Sequence, residues 1–279
     1  MAVDERYLLE EARQLDPDRY LCSLFAPAAR RRAVLALVLF NAELARIPDL
    51  VSQPMAGMIR FQWWREALEE AAAGRAGGHP VVEELAAAMA SGAVEEAPLQ
   101  AILDAREGAI EDLEPQDLEE LETYLRLTAG RLGTLTARCL DAPPALCEAA
   151  GRVGLAYGMV GIIRALGGEA ARNRHWLPEA MLAAQGVAPA ALAAGEGSQG
   201  LQRVVEELLA RAGRHLAEAR AQAGRPPREL MAAFLPGRLA RRQMACIRKA
   251  GCDPFRPQAP ERSAAASLDL SLGWLTRSF

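Results

Sequence analysis

Lysine is almost missing from this chain: of 32 basic residues among 279, only Lys249 is a lysine and the rest are arginine. Aromatic residues make up only 5%. The three histidines, His79, His175 and His215, are too scattered to suggest a metal cage. Five cysteines (Cys22, Cys139, Cys147, Cys246 and Cys252) form an odd set with no C-x-x-C pair, which excludes a disulfide framework and a cysteine zinc site. No run of 18 unbroken apolar residues occurs; the nearest, Ala33 to Ala45, is interrupted by Asn41 and Glu43. The opening Met-Ala-Val-Asp-Glu-Arg lacks the basic-then-apolar build of a secretory signal. A net charge of −4 argues against a dedicated nucleic-acid binder. These absences point to a soluble cytoplasmic protein, with contact to a membrane surface left open for Trp63, Trp64 and the Trp274-Leu-Thr-Arg segment.

What is abundant is alanine, with 57 residues, in a chain that is 51% hydrophobic. Alanine is the best helix former and poor in strands, and the apolar share suffices for a full core. The joint excess of arginine and alanine fits a GC-rich coding bias. Helical periodicity runs through nearly the whole chain and strand alternation is almost absent. The pattern predicts helices at 3–15, 28–47, 54–73, 80–92, 99–113, 116–139, 145–167, 178–185, 201–223, 227–249 and 264–277. Asp16-Pro17 is expected to stop the first, Pro236 to kink or break the tenth, and 186–200 to be a loop. The acidic stretch 104–122 reads as a solvated helix face. An all-α chain forming one domain, 1–279, follows.

Three segments stand out. The first is Arg30-Arg31-Arg32 followed by an apolar stretch and then Asn41, Glu43, Arg46 and Asp49. There Asn41, Ala45 and Asp49 share one helix face, and Glu43 and Arg46 another. The second is Arg60-Phe-Gln-Trp-Trp64-Arg65, where one tryptophan is expected in the core and the other over a groove, with an arginine available to stack. The third runs from Gly154 through Tyr157, Gly158, Gly161 and Arg164 to Glu169, Arg172 and Arg174. Its glycines at i, i+4 and i+7 bare a stripe that another helix or the apolar chain of a ligand approaches, at a propensity cost of about 1 kcal/mol each. Its arginines suit a diphosphate or carboxylate.

In these segments, with Asp18-Arg-Tyr-Leu and Tyr124 before Ala129-Gly130-x-x-Gly133, the sequence resembles the squalene/phytoene synthase family over nearly its whole length. The run Phe40-Asn-Ala-Glu-Leu-Ala-x-x-x-Asp49 with Arg60-x-Gln-Trp-Trp is similar to the branch that includes mitochondrial respiratory complex I assembly factors. The resemblance implies an isoprenoid-synthase-like helical bundle around a central cavity. In the family's enzymes it also implies two aspartate-rich motifs that hold Mg²⁺ against a diphosphate leaving group. Here the first motif is reduced to Ala45, Arg46 and Asp49, and the second to Arg164-Ala165-x-x-x-Glu169. The polar residues that precede the second motif are replaced by Gly158 and Gly161.

The resemblance therefore implies a divergent member, non-catalytic, that binds an isoprenoid-like lipid or assists assembly of a membrane complex. No cofactor is expected. The alternative is an active prenyl-diphosphate transferase with a rearranged Mg²⁺ site built from Glu43, Asp49 and Glu169. A third reading is a helical interaction module with a closed core and no pocket behind Gly158 and Gly161. The ligand-binding candidates are Arg31, Asn41, Glu43, Arg60, Trp64, Tyr157, Gly158, Gly161, Arg164, Arg172 and Arg174, with Asp49 and Glu169 as vestiges of the metal site.

Overall fold

The computed structural model describes residues 5–75, 77–110, 114–172, 174–256 and 264–279. The expected helical residues 3, 4 and 111–113, and Asn173 between the two candidate arginines, lie outside them. Every regular element described is helical. In the N-terminal half these are α1 (Glu5–Leu15), α2 (Pro17–Ser23), α3 (Ala28–Ala45), α4 (Ile47–Leu50), α5 (Pro54–Ala72), α6 (Pro80–Ala90) and α7 (Glu96–Glu107). Next come α8 (Leu118–Leu125), α9 (Arg131–Cys139), α10 (Pro144–Ala170), α11 (Glu179–Ala184), α12 (Pro189–Ala193) and α13 (Gln199–Ala223). The chain closes with α14 (Met231–Lys249) and α15 (Ala264–Thr276).

Proline sets many of the starts. It occupies the first turn of α2, α4, α5, α6, α10 and α12, where its missing N–H costs nothing and its fixed φ suits a helix. Asp16-Pro17 does end α1, but it also begins α2: the Asp16 carboxylate accepts from the Arg19 N–H at 3.0 Å as an N-cap. Within the expected loop 186–200, α12 forms a short helix. Pro236 sits inside α14 without breaking it. The expected helix at 116–139 is divided by a π-helical turn at Arg126–Gly130, where Thr128 Oγ1 donates to the Tyr124 carbonyl at 2.8 Å.

The 27-residue α10 is the central element, packed against α9, α13, α14 and the π turn. It is long and apolar enough to cross a membrane, yet most of its apolar window is buried inside the bundle. Its glycines explain the tight packing. A Cβ at Gly154 would stand 2.2 Å from the Ala129 carbonyl oxygen, and one at Gly133 would stand 2.4 Å from that of Ala150. The two backbones touch, and only glycine allows it.

The acidic stretch is largely solvated, with Asp104, Asp117, Glu119 and Glu120 exposed, but Glu107 and Glu122 turn inward. Asp104 and Glu107 pair with Arg65, each at 2.7 Å. Glu122 is buried, held by Arg211 and by His215 Nε2 at 2.8 Å. Burial alone would raise its carboxyl, but hydrogen bonds from Arg211 and His215 outweigh that and bring it down to about 2. The five cysteines are free, and all but Cys246 are buried.

Candidate functional site

A cavity of about 450 Å³ opens between α3, α7, α8, the π turn and α10. This is a volume suited to a small-molecule chain, and it excludes the closed-core reading. Asn41, Ala45 and Asp49, the face anticipated on α3, all line it. So do Ala165 and Glu169 from the second eroded motif. Its exposed lining residues, Ala45, Arg46, Asp49 and Ala165, mark the mouth. The glycine stripe divides between helix packing and open cavity wall. Gly154 packs backbone to backbone, Gly158 lines the cavity where a Cβ would press on Ala129 and Leu125, and a Cβ at Gly161 would meet nothing within 4 Å.

At the mouth, Arg174 bridges the two surviving carboxylates. Its Nη2 stands 2.6 Å from Asp49 Oδ1 and 2.8 Å from Glu169 Oε2. Arg172 adds contacts at 3.5 Å to Asp49 and 3.3 Å to Glu169. The carboxylates thus face guanidinium groups instead of an open cation site. Ala45 and Ala165 supply no oxygen, and Arg46 brings a further positive charge to the mouth. Mg²⁺ demands near-octahedral oxygen coordination. Among the described residues no group of three or more His, Cys, Asp or Glu side chains is placed to hold a metal ion. The residues present do not fit the diphosphate-bound Mg²⁺ of the family's enzymes.

Deeper in, the cavity is apolar with two built polar stations. At one, Arg106 donates to Tyr124 Oη at 3.0 Å and to Asn41 Oδ1 at 3.2 Å, while its Nε is buried without a hydrogen-bond partner. Tyr124 is stacked on Trp176, ring centroids 4.6 Å apart. At the other, Asp16 and Arg19 pair at 2.8 Å, and the Arg19 guanidinium lies 4.6 Å from the Tyr157 ring centroid. Tyr157 donates to the buried Asp18 at 2.9 Å, and Gln243 donates to the same oxygen at 2.8 Å. Burial, more than the neighbouring carboxylates, pushes the Tyr157 hydroxyl well above its ordinary range, so it stays a proton donor to Asp18.

Of the candidates, Asn41, Tyr157, Gly158, Gly161 and Arg174 line the cavity, and Arg172 reaches the mouth carboxylates. The others lie elsewhere. Arg31 donates to the carbonyls of Leu24 and Ala26, beyond the end of α2. Glu43, expected beside Arg46, pairs instead with His79 at 3.4 Å, so a metal site built from Glu43, Asp49 and Glu169 is not assembled. Arg60 is exposed. Trp64 is buried edge-on against Phe40, Trp63 and His79; histidine, not arginine, completes that aromatic cluster. Arg164 stands 3.6 Å from Asp18, in the network behind the cavity wall. Sequence reasoning missed Asp16, Arg19, Arg106 and Trp176. The capping pattern at Asp16-Pro17 could have located the first two, whereas nothing local distinguishes Arg106 from other helix-surface arginines.

Comparison with known proteins agrees with this geometry. A model of the family described as squalene/phytoene synthase matches residues 12–266. Curated relatives include NADH dehydrogenase (ubiquinone) complex I, assembly factor 6 of Rattus norvegicus, 31% identical over 97% of this chain and 82% of the relative. The Homo sapiens protein of the same name is 29% identical over 95% and 80%. Among solved structures, a dehydrosqualene synthase bound to ligand superposes with a TM-score of 0.82 at 19% identity, covering 97% of this chain and 94% of that one. Squalene synthase HpnC from Alicyclobacillus acidocaldarius gives 0.77 at 21%, covering 90% and 96%. An all-α bundle around a central cavity, with alanine at two expected metal-binding positions and arginine over the carboxylates that survive, places this chain in the squalene/phytoene synthase family as a divergent member.

Proposed function

We propose that this protein is a non-catalytic member of its family that holds an isoprenoid-like lipid in the central cavity and serves in the assembly of a membrane complex. The observation that carries the reading is the mouth: Asp49 and Glu169 are both engaged by Arg172 and Arg174, opposite Ala45 and Ala165. A diphosphate leaving group needs its charge neutralised as it departs. Two carboxylates already spent on guanidinium groups do not recruit the cation that would do this. The assembly role rests on relatives named as complex I assembly factors that match this chain across nearly its full length. The lipid rests on the apolar cavity, with Arg106 and Tyr124 in its lining to meet a ligand's polar end.

Incubation of the purified chain with Mg²⁺ and farnesyl or geranylgeranyl diphosphate tests the reading directly. No pyrophosphate release above the protein-free blank is expected, and native mass spectrometry is expected to find a lipid adduct. Release that disappears in Asp49→Ala or Glu169→Ala would overturn the non-catalytic assignment.

A further inference from the structure

Arg106 carries a positive charge into the cavity wall without a counter-charge. The other charges there are matched or wet. Asp16 pairs with Arg19, and Asp49 and Glu169 pair with Arg174 and Arg172. Arg46 enters no ion pair among the described residues, but it lies exposed at the mouth, where salt and water screen it. Arg106 is partly buried, and the nearest carboxylates on its own helix, Asp104 and Glu107, both turn to Arg65. Its hydrogen-bond partners among the described residues are neutral, Tyr124 Oη at 3.0 Å and Asn41 Oδ1 at 3.2 Å. A guanidinium drawn from water and given only neutral acceptors has a desolvation cost that an anion would offset.

The two neutral partners each have an unused donor. Tyr124 accepts from Arg106, so its own hydroxyl proton points elsewhere, and it meets no acceptor among the described residues. Stacking on Trp176 holds the ring in place. Asn41 is only 4% exposed; its side-chain carbonyl accepts from Arg106, while its amide nitrogen donates to nothing among the described residues. Buried amides normally have their donors filled. Each Nη of Arg106 also keeps a second N–H. Donors from α3, α7 and α8 therefore meet in one part of the cavity lining.

Charge selects the anion that fits them. One guanidinium without a metal balances a monoanion, whereas a diphosphate would bury several negative charges unmatched. A carboxylate offers two oxygens in the plane that a guanidinium fork recognises. Leu44, Phe61, Leu125, Ile162 and Leu166 give the cavity an apolar wall, and Gly161 leaves it open. We propose that the cavity's ligand is a long-chain monocarboxylic acid, its carboxylate held by Arg106, Tyr124 and Asn41 and its chain laid along the apolar wall. The inference rests on the reading of the cavity as a lipid site, and it places the head inside, away from the carboxylates of the mouth.

Calorimetric titration of the purified full chain with farnesoic acid, farnesol and farnesyl diphosphate, without Mg²⁺, tests it. The acid is expected to bind at least about tenfold more tightly than the alcohol, and more tightly than the diphosphate. Arg106→Gln is expected to bring the acid down to the level of the alcohol. Tyr124→Phe removes one hydroxyl from an otherwise unchanged ring and is expected to weaken the acid about threefold to tenfold, so the test survives if Arg106→Gln fails to fold. Arg60→Gln, exposed and outside the cavity, leaves the acid's affinity unchanged. Palmitate, run alongside, tells a straight-chain from an isoprenoid source of the same carboxylate. Equal affinity for acid and alcohol, tighter binding of the diphosphate, or an acid affinity indifferent to both cavity variants overturns the proposal and leaves the lipid site standing. Failure of all four compounds to bind overturns the lipid site with it.

Discussion

Two clusters in this molecule set carboxylate against arginine, and they differ in what surrounds them. Around Glu122 the carboxylate is buried, taken by Arg211 from one direction and His215 from another, and it ties α8 to α13. At the cavity mouth Asp49 and Glu169 share Arg172 and Arg174, and the side chain of Asp49 is 41% exposed. In the first, Glu122 and His215 are nearly shut off from water while Arg211 is 36% exposed, so the buried pair depends on its partners for stability. The second opens to water on its Asp49 side, although Arg174 and Glu169 are mostly covered, so the Asp49 contacts are the screened and replaceable ones. Loss of metal ligands at the mouth was therefore compatible with keeping the fold.

The sharpest way to break this contrast is to truncate the buried carboxylate. Glu122→Ala is expected to cost about 3–5 kcal/mol in urea unfolding, because it strands Arg211 and His215. Acid reads the same group. Its folded value, about 2, lies below the ordinary 4.5, so its contribution is complete above pH 4.5 and is lost as pH falls toward about 2. Stability of the wild-type chain is expected to fall across that window, with a shallower fall in Glu122→Gln.

The packed and open glycines of α10 extend the comparison. Gly154→Ala drives a methyl into the Ala129 carbonyl and is expected to cost about 1–3 kcal/mol by thermal or urea unfolding. Gly161→Ala meets no atom and improves helix propensity, so a gain of up to about 1 kcal/mol is expected. The smallest effect is expected from Asp49→Ala, less than about 1 kcal/mol. A loss there comparable to that of Glu122→Ala would erase the distinction between the clusters.

Helix existence was legible because proline marks so many starts and apolar spacing holds within each element. The α3 face of Asn41, Ala45 and Asp49 was legible for the same reason, since it lies within one stretch of unbroken period. What failed depends on partners distant in sequence. Glu43 chose His79 over its neighbour Arg46, and Glu122 left the acidic surface for Arg211 and His215, 89 and 93 positions away. Local spacing carries no record of such choices. Arg106 is similar: its partners Asn41 and Tyr124 come from two other helices.

The π turn at Arg126–Gly130 has a further consequence. A turn closed by i→i+5 bonds carries one residue more than the α-helix around it, so the helix beyond it is out of phase by about 100° with the one before. Tyr124 and Leu125 just before the turn and Thr128 and Ala129 within it line the cavity, and the change of phase sets where the helix beyond them meets α10. Deleting one residue from 126–130 would restore a regular α-helix and leave nearly every side chain unaltered. It would nevertheless turn Tyr124 relative to the Gly130–Gly133 contact with α10. The cavity wall is thus set by a count of residues as much as by their identities, and a single-codon deletion would reshape it.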